Sequence, residues 1–301
     1  MKGETALATL PKGENDQQAR LFDELKLALS RTTSEDMKSW GAASAARLPA
    51  IGKRRIKNFG EMVTTIAKAA GREFQSALNA ARSGRFGSHL GQRTAAGIDG
   101  TIDFGKQVWH VLGAVGSAVK DDPKKNAPGV LALALGFIAG SGGADGNGGI
   151  PDTDIVMFGI GDHRSLFTHS IIAGIVVEGA IMALADLAGI VCDKLPVGQR
   201  SAFWDQLSGA KDQIAGQLSA GASAGIAYHL AVDATLQPAA YKDLPISMPM
   251  EAHQMLFALN ATVEGLDAAK RVQTPGEMVV STVSNGFSAL GSGVRSIFGS
   301  K

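Results

Sequence analysis

The sequence predicts an all-α protein, a multi-helix domain with a central Asp/His metal site, flanked by amphipathic helices at both ends. Of its 301 residues 45% are hydrophobic and only 19% are charged, so the chain can bury a sizeable core. It contains 38 glycines and only 6% aromatic residues, a composition that suits close helix-on-helix packing. Over long stretches the apolar residues recur in steps of three and four, which is the spacing of one helix face.

Residues 1–120 form the first of three predicted regions, an N-terminal helical region. Its clearest element is an apolar stripe between residues 56 and 78, which keeps helical spacing over about six turns. We expect a loop near residues 47–52 to separate this helix from the one before it. The region ends at a polar break around Pro123.

Residues 121–240 are predicted to form a core that contains most of the candidate Asp and His side chains. Residues 241–301 are predicted to form C-terminal helices that pack on the core or contact a membrane. One of these helices is expected at about residues 251–270. The last is expected to start near Thr274, because Thr274, Pro275 and Glu277 match a capping box that precedes apolar residues at helical spacing.

Net charge, cysteine content and the apolar runs limit the function classes. A formal net charge of +1 predicts no strong attraction to nucleic acid or acidic lipid. Cys192 is the only cysteine, which excludes an intrachain disulfide. The first residues show no signal-peptide pattern, so we expect a cytoplasmic protein, with the inner face of the membrane as the alternative. The apolar run 170–192 contains Glu178 and Asp186, which favours a buried core helix over a membrane span and leaves peripheral contact open.

His229 and Asp233 lie four residues apart in a strongly apolar stretch that is predicted to be helical. That spacing places both side chains on one helix face, with their β-carbons about 5–6 Å apart. A buried carboxylate is costly unless it is paired or binds a metal. Imidazole nitrogen and carboxylate oxygen are ligands that zinc, manganese and iron accept together. A simple His–Asp hydrogen bond inside the core would satisfy the same pattern.

A second group of polar side chains lies between residues 151 and 170. Asp152 and Asp154 stand two apart in a Pro-led, non-helical segment, where an extended backbone can aim both at one site. Six residues of helix turn through about 600°, so His163 and His169 cannot share a helix face. We therefore expect His163 in a loop or first turn, and His169 within a helix that runs to about residue 189.

Arg164 and two hydroxyl residues complete this group. A guanidinium beside metal ligands can grip a phosphate oxygen bidentately. The alternative for Arg164 is a structural salt bridge to Asp162 or Asp152. Thr168 and Ser170 can orient an imidazole or a carboxylate from behind the ligands. Three pairs therefore lie in apolar settings, which favours metal binding over unrelated core positions: Asp152/Asp154, His163/His169 and His229/Asp233.

The order of these motifs resembles that of the YdjM-like family, LexA-regulated, membrane-associated proteins described as metal-dependent hydrolases. The resemblance covers roughly residues 130–237. The matching residues are Asp152, Asp154, His163, Arg164, Thr168, His169, Ser170, His229, Asp233 and Thr235. The spacing between the first two histidines is one residue longer than in the family, and Ile155 stands where the family often has a histidine. His110 can supply a further histidine that the family carries on an earlier helix, and a core or boundary histidine is the equal alternative.

The resemblance implies an all-helical metal site akin to that of zinc-dependent phospholipase C and related nucleases, and hence phosphoester hydrolysis. The expected metal is zinc, with manganese or iron as alternatives. Its expected ligands are Asp152, Asp154, His163, His169, His229, Asp233 and His110. Asp152 and Arg164 are the expected catalytic residues.

The expected partners are a phosphoester or lipid substrate, a membrane surface in peripheral contact and a second copy of the chain. Nucleic acid is disfavoured by the near-zero net charge. The alternative function is a membrane-associated effector or scaffold, in which the metal serves only the structure. The amphipathic regions on both sides of the resemblance favour this alternative.

Overall fold

The computed structural model describes residues 12–83, 120, 123–143, 148–159, 164–236 and 239–271. All regular structure in these residues is helical, which confirms the predicted all-α fold. The helices are α1 (Lys12–Arg31), α2 (Ser34–Arg82), α3 (Pro123–Ser141), α4 (Thr153–Phe158), α5 (Ile171–Lys194), α6 (Ala202–Thr235) and α7 (Met250–Arg271). A short 3₁₀ turn, Val197–Gln199, lies between α5 and α6.

The chain forms two compact units. Unit 1 comprises Met1–Ala45 and Met182–Asp212, and unit 2 comprises Ala46–Ile181 and Gln213–Lys301. The boundaries between them fall inside α2, α5 and α6. The division into residues 1–120, 121–240 and 241–301 stays a prediction.

Unit 1 has a small apolar core of its own. Its buried members are Ala28, Val191, Cys192, Leu195 and Trp204. Glu24 is buried beside this core and accepts hydrogen bonds from the Ser201 hydroxyl and the Trp204 indole N–H. The single cysteine of the chain is thus a packing residue within unit 1.

The core of unit 2 is built around α6 and α7. Its buried members are Ile226, Leu230, Ala234, Ala239, Tyr241, Phe257 and Ala261. The rings of Tyr241 and Phe257 stack in parallel, with centroids 4.2 Å apart. All the polar residues of the candidate site described below also belong to unit 2.

Helices α3 and α6 touch through their backbones. A β-carbon added to Gly225 would lie 2.7 Å from the Ser141 nitrogen, and one added to Gly140 would lie 2.8 Å from the Ile226 nitrogen. Both distances are shorter than real β-carbons tolerate, so only glycine permits this approach. The contact brings the Ser141 carbonyl oxygen to 3.5 Å from Nδ1 of His229.

A buried group of charged side chains, the Arg55 network, connects α2 to α5 and α7 in unit 2. Its members are Arg54, Arg55, Glu178, Glu264, Asp267 and Arg271. The fully buried Arg55 donates to both carboxylate oxygens of Glu264, at 2.7 and 3.2 Å, and to Glu178 at 2.7 Å. Three guanidinium groups face three carboxylates, so the network is electrically balanced.

The structure corrects the loop expected near residues 47–52, because α2 continues through Pro49. A proline inside a helix costs about 3 kcal/mol, since it removes one backbone hydrogen bond. The next turns bury Ile51 and Arg55, and the packing and ion pairs of these side chains offset that cost. The helix expected at residues 251–270 is confirmed as α7. The helix expected from Thr274 lies outside the described residues.

Replacing Arg55 by Met should destabilise the protein by about 3–5 kcal/mol, because three carboxylates would lose a buried cationic partner. The measurement is the urea-unfolding midpoint. The control is Lys57→Met on the same helix, whose exposed ammonium makes only a 3.9 Å pair with Glu61, and which should change stability by less than about 0.5 kcal/mol. Equal midpoints for the two variants would contradict the role given to the network.

Replacing Gly225 by Ala should destabilise the protein by about 1–3 kcal/mol or more, because the new methyl group collides with the α3 backbone. Gly216→Ala is the matched control, since a β-carbon there meets nothing within 4 Å. That variant should gain up to about 1 kcal/mol from the better helix propensity of Ala. Thermal unfolding of the pair measures the difference, and a stable Gly225→Ala protein would show that the helices do not touch.

Candidate metal centre

Three side chains from separate elements of unit 2 offer metal-ligand atoms that lie within 4.8 Å of one another: Asp152, His169 and His229. Asp152 immediately precedes α4, His169 lies in the turn before α5, and His229 lies on α6. The two imidazoles are buried, with 0% and 2% exposure, and the Asp152 side chain is 13% exposed. The three residues thus form a nearly enclosed group.

The distances within this group suit an ion better than a direct hydrogen bond. Oδ1 of Asp152 lies 3.5 Å from Nε2 of His169 and 3.4 Å from Nε2 of His229. A good N–H···O bond has its heavy atoms about 2.9–3.0 Å apart. Two ligands of a tetrahedral zinc at ordinary bond lengths are about 3.4 Å apart. The observed separations therefore match a shared metal.

Asp233 flanks the same two imidazoles. Its Oδ2 atom lies 3.7 Å from Nε2 of His169 and 3.5 Å from Nε2 of His229. This oxygen is buried and accepts no hydrogen bond from the part of the chain that the structure describes. Its Oδ1 atom is held by Nε and Nη2 of Arg164, both at 3.1 Å. Arg164 thus fixes one carboxylate oxygen and leaves the other facing the imidazoles.

The third carboxylate, Asp154, lies on the opposite edge of His169. Its Oδ2 atom is 3.3 Å from Nδ1 of that imidazole, whereas the candidate metal group forms at Nε2. The same oxygen accepts hydrogen bonds from the backbone N–H groups of Arg164 and Ser165 and from the Thr168 hydroxyl. This oxygen is therefore placed behind the ligand rather than among the ligand atoms.

Three carboxylates, those of Asp152, Asp154 and Asp233, lie beside the two imidazoles, and the guanidinium of Arg164 pairs with Asp233. Burial raises the pKa of Asp152, but the His169 and His229 imidazoles and the backbone N–H of Gly148 together hold this pKa well below its usual range. Asp152 is thus an anion, the form in which a carboxylate binds a metal.

The backbone around His169 is held by residues of the segment from 239 to 260. The Tyr241 hydroxyl donates to the His169 carbonyl oxygen at 2.6 Å, and the Phe257 ring packs edge-on against the imidazole, 6.1 Å between centroids. Oδ1 of Asn260 accepts the Ile171 N–H at the start of α5. Asp243 accepts the Leu166 N–H through both carboxylate oxygens, at 2.9 Å.

These supporting residues were not predicted from the sequence. Tyr241 and Asp243 lie in an irregular segment whose conformation no periodic pattern determines. Asn260 lies within a predicted helix, where its polar side chain was the one available signal. Their contacts with residues about seventy to ninety positions earlier depend on the tertiary fold.

The structure brings together Asp152, His169 and His229, and it places Asp233 and Arg164 beside them. The observed partner of Arg164 is Asp233, which the sequence did not suggest. His169 is not within a helix as expected, because α5 begins at Ile171 and continues beyond residue 189 to Lys194. Ser170 instead accepts the Ile172 N–H at the helix start. His110, Asp162 and His163 lie outside the described residues.

No family model matches the chain, and comparisons with curated proteins and with solved structures find no match. The resemblance to the YdjM-like family accordingly remains an interpretation of the motif order. The geometry of the residues carries the functional argument.

Proposed function

We propose that this protein is a metal-dependent hydrolase that cleaves a phosphoester. The observation that carries the proposal is the enclosed group of Asp152, His169 and His229 with Asp233 beside it. Two imidazoles and one carboxylate are a ligand set typical of catalytic zinc, in which three protein ligands leave a position for water. Zinc bound there would lower the pKa of that water toward neutrality and supply hydroxide.

Asp233 is the proposed general base, in place of the ligand role predicted from its sequence spacing. Its Oδ2 atom is buried, faces both Nε2 atoms and accepts no hydrogen bond from described residues, so it can accept a proton from a water at the site. Asp152, expected from the sequence both as a metal ligand and as a catalytic residue, serves as a ligand in this proposal.

Arg164 has two proposed tasks. It holds Oδ1 of Asp233, which fixes the base in position. Its side chain is also 25% exposed, so its positive charge can meet an anionic phosphoester oxygen. The motif resemblance to a hydrolase family supports the same substrate class.

The second candidate is a membrane-associated effector or scaffold with a structural metal. One helix of the described chain, α5, is long and apolar enough to cross a membrane, and 22% of its most apolar stretch is buried. Core helices of soluble proteins meet the same criteria. Glu178 of α5 is buried in the Arg55 network, which favours a packed helix over a lipid-facing one.

The protein purified without chelator should contain about one zinc, or another divalent metal, per chain. His169→Ala and His229→Ala should lose this metal, because each removes one of the three ligand atoms. Elemental analysis measures the content. His253→Asn is the control, because its amide oxygen can replace Nδ1 as acceptor of the Tyr241 N–H while the candidate ligands stay intact.

Hydrolysis is measured on the same preparations with a chromogenic phosphodiester, a phosphomonoester and phospholipid vesicles. Wild type and His253→Asn should hydrolyse one of these substrate classes. The activity should be lost when chelator is added to wild type, and it should be absent in both alanine variants. Metal that is bound without hydrolysis of any class, together with co-sedimentation with the vesicles, would support the effector or scaffold instead. A wild-type protein without metal would contradict both functions.

Asp233→Asn should separate binding from chemistry. An amide cannot accept the proton, so the hydrolysis rate should fall by roughly 10²–10⁴-fold, while the three-residue ligand set should keep metal affinity within about tenfold. Titration with a competing chelating dye measures affinity on the preparation used for kinetics. Loss of the metal in this variant would restore Asp233 to the ligand set and disprove its role as base.

A further inference from the structure

The turn formed by residues 164–169 is built around one carboxylate oxygen. Asp154 is fully buried. Its Oδ2 atom accepts hydrogen bonds from the backbone N–H groups of Arg164 at 2.8 Å and Ser165 at 3.0 Å, and from the Thr168 hydroxyl at 2.8 Å. Arg164 has a φ of 72°, a left-handed conformation that is costly for a residue other than glycine. The bond from its N–H to Asp154 helps to hold it there.

The hydrogen-bond partners determine which imidazole nitrogen of His169 carries the proton. An ionised carboxylate can only accept, so Thr168 donates its hydroxyl proton to Asp154. Ser165 Oγ, 2.9 Å from the Thr168 oxygen, is then the donor of that second pair. The Thr168 oxygen then serves as acceptor toward Nδ1 of His169, 2.9 Å away, and Asp154 Oδ2 is a second acceptor at 3.3 Å. Nδ1 is therefore the protonated nitrogen, and Nε2 presents its lone pair to the group at Asp152 and Asp233.

We propose that Asp154 is a positioning residue, which acts through Thr168 to hold His169 as an Nδ1–H tautomer with Nε2 directed at the metal. The inference rests on the proposed function for the presence of that metal. A carboxylate that fixes a ligand imidazole from behind commonly changes metal affinity by roughly 10–100-fold. The same carboxylate fixes the backbone of Arg164, whose side chain holds Asp233. The buried Oδ2 atom of Asp154 thus positions both the ligand His169 and, through Arg164, the proposed base Asp233.

The test compares two pairs of variants. Asp154→Ala removes the central acceptor, and its control Asp243→Ala removes a carboxylate that binds the same turn at Leu166 without contacting His169. Thr168→Val removes the hydroxyl with little change of shape, and Thr168→Ser retains it. The measurements are metal affinity by dye competition, the ligand-field spectrum after loading with Co²⁺, and the ¹⁵N signals of the imidazole nitrogens in the metal-free protein.

Asp154→Ala should weaken metal binding by roughly 10–100-fold, alter the Co²⁺ spectrum and shift the His169 tautomer signals. Thr168→Val should change all three in the same direction, and the double variant should be no weaker than Asp154→Ala, because the two residues act in one chain. Thr168→Ser and Asp243→Ala should stay close to wild type.

Three outcomes would overturn the inference. An equal loss in Asp243→Ala would show that any loosening of the turn has the same effect, so that Asp154 has no specific role. Unchanged affinity and tautomer signals in Thr168→Val and Asp154→Ala, with wild type holding its metal, would disprove the positioning role alone. A wild-type protein that binds no metal would overturn the proposed function as well.

Discussion

The rest of the structure depends on one constraint: charge that is buried must be neutralised where it stands. In unit 2 the fully buried Arg55 of α2 meets Glu178 on α5 and Glu264 on α7, so these three helices are held in one arrangement. The consequences reach the candidate site. The first residue of α5 follows His169 by two positions, and Phe257 of α7 packs against that imidazole. The Arg55 network thus helps to position α5 and α7, the two helices that adjoin His169.

The candidate site differs from the Arg55 network in how its buried polar atoms are arranged. In the Arg55 network each carboxylate contacts a guanidinium group directly. In the candidate site Oδ1 of Asp152 and Oδ2 of Asp233 instead lie 3.4–3.7 Å from the Nε2 atoms of the two imidazoles. The 3.4–3.5 Å separations from Asp152 to both imidazoles suit two ligands of one zinc ion. These distances are the main physical support for the proposed metal.

The sequence predicted what local spacing controls. The helix expected at residues 251–270 is α7, and a step of four placed His229 and Asp233 on one face of α6, where their facing atoms are 3.5 Å apart. The sequence could not predict contacts between distant residues. Arg55 pairs with Glu264, which lies 209 positions later in the chain. Long-range contacts of this kind also offset the cost of Pro49 inside α2. The proposed positioning role of Asp154 shows a further limit of sequence-based prediction. Residue type alone does not distinguish a metal ligand from a residue that orients a ligand.

Whether such a site is structural or catalytic depends on the fourth position around the metal. A zinc with four protein ligands is closed, and one with three can take a water. Asp233 could close the site if its carboxylate were free to move, but Arg164 binds its Oδ1 atom through two nitrogens. Arg164 is in turn held in its left-handed conformation by Asp154. Under the proposed function, the turn that supplies His169 also restrains Asp233, so that the position for water stays open.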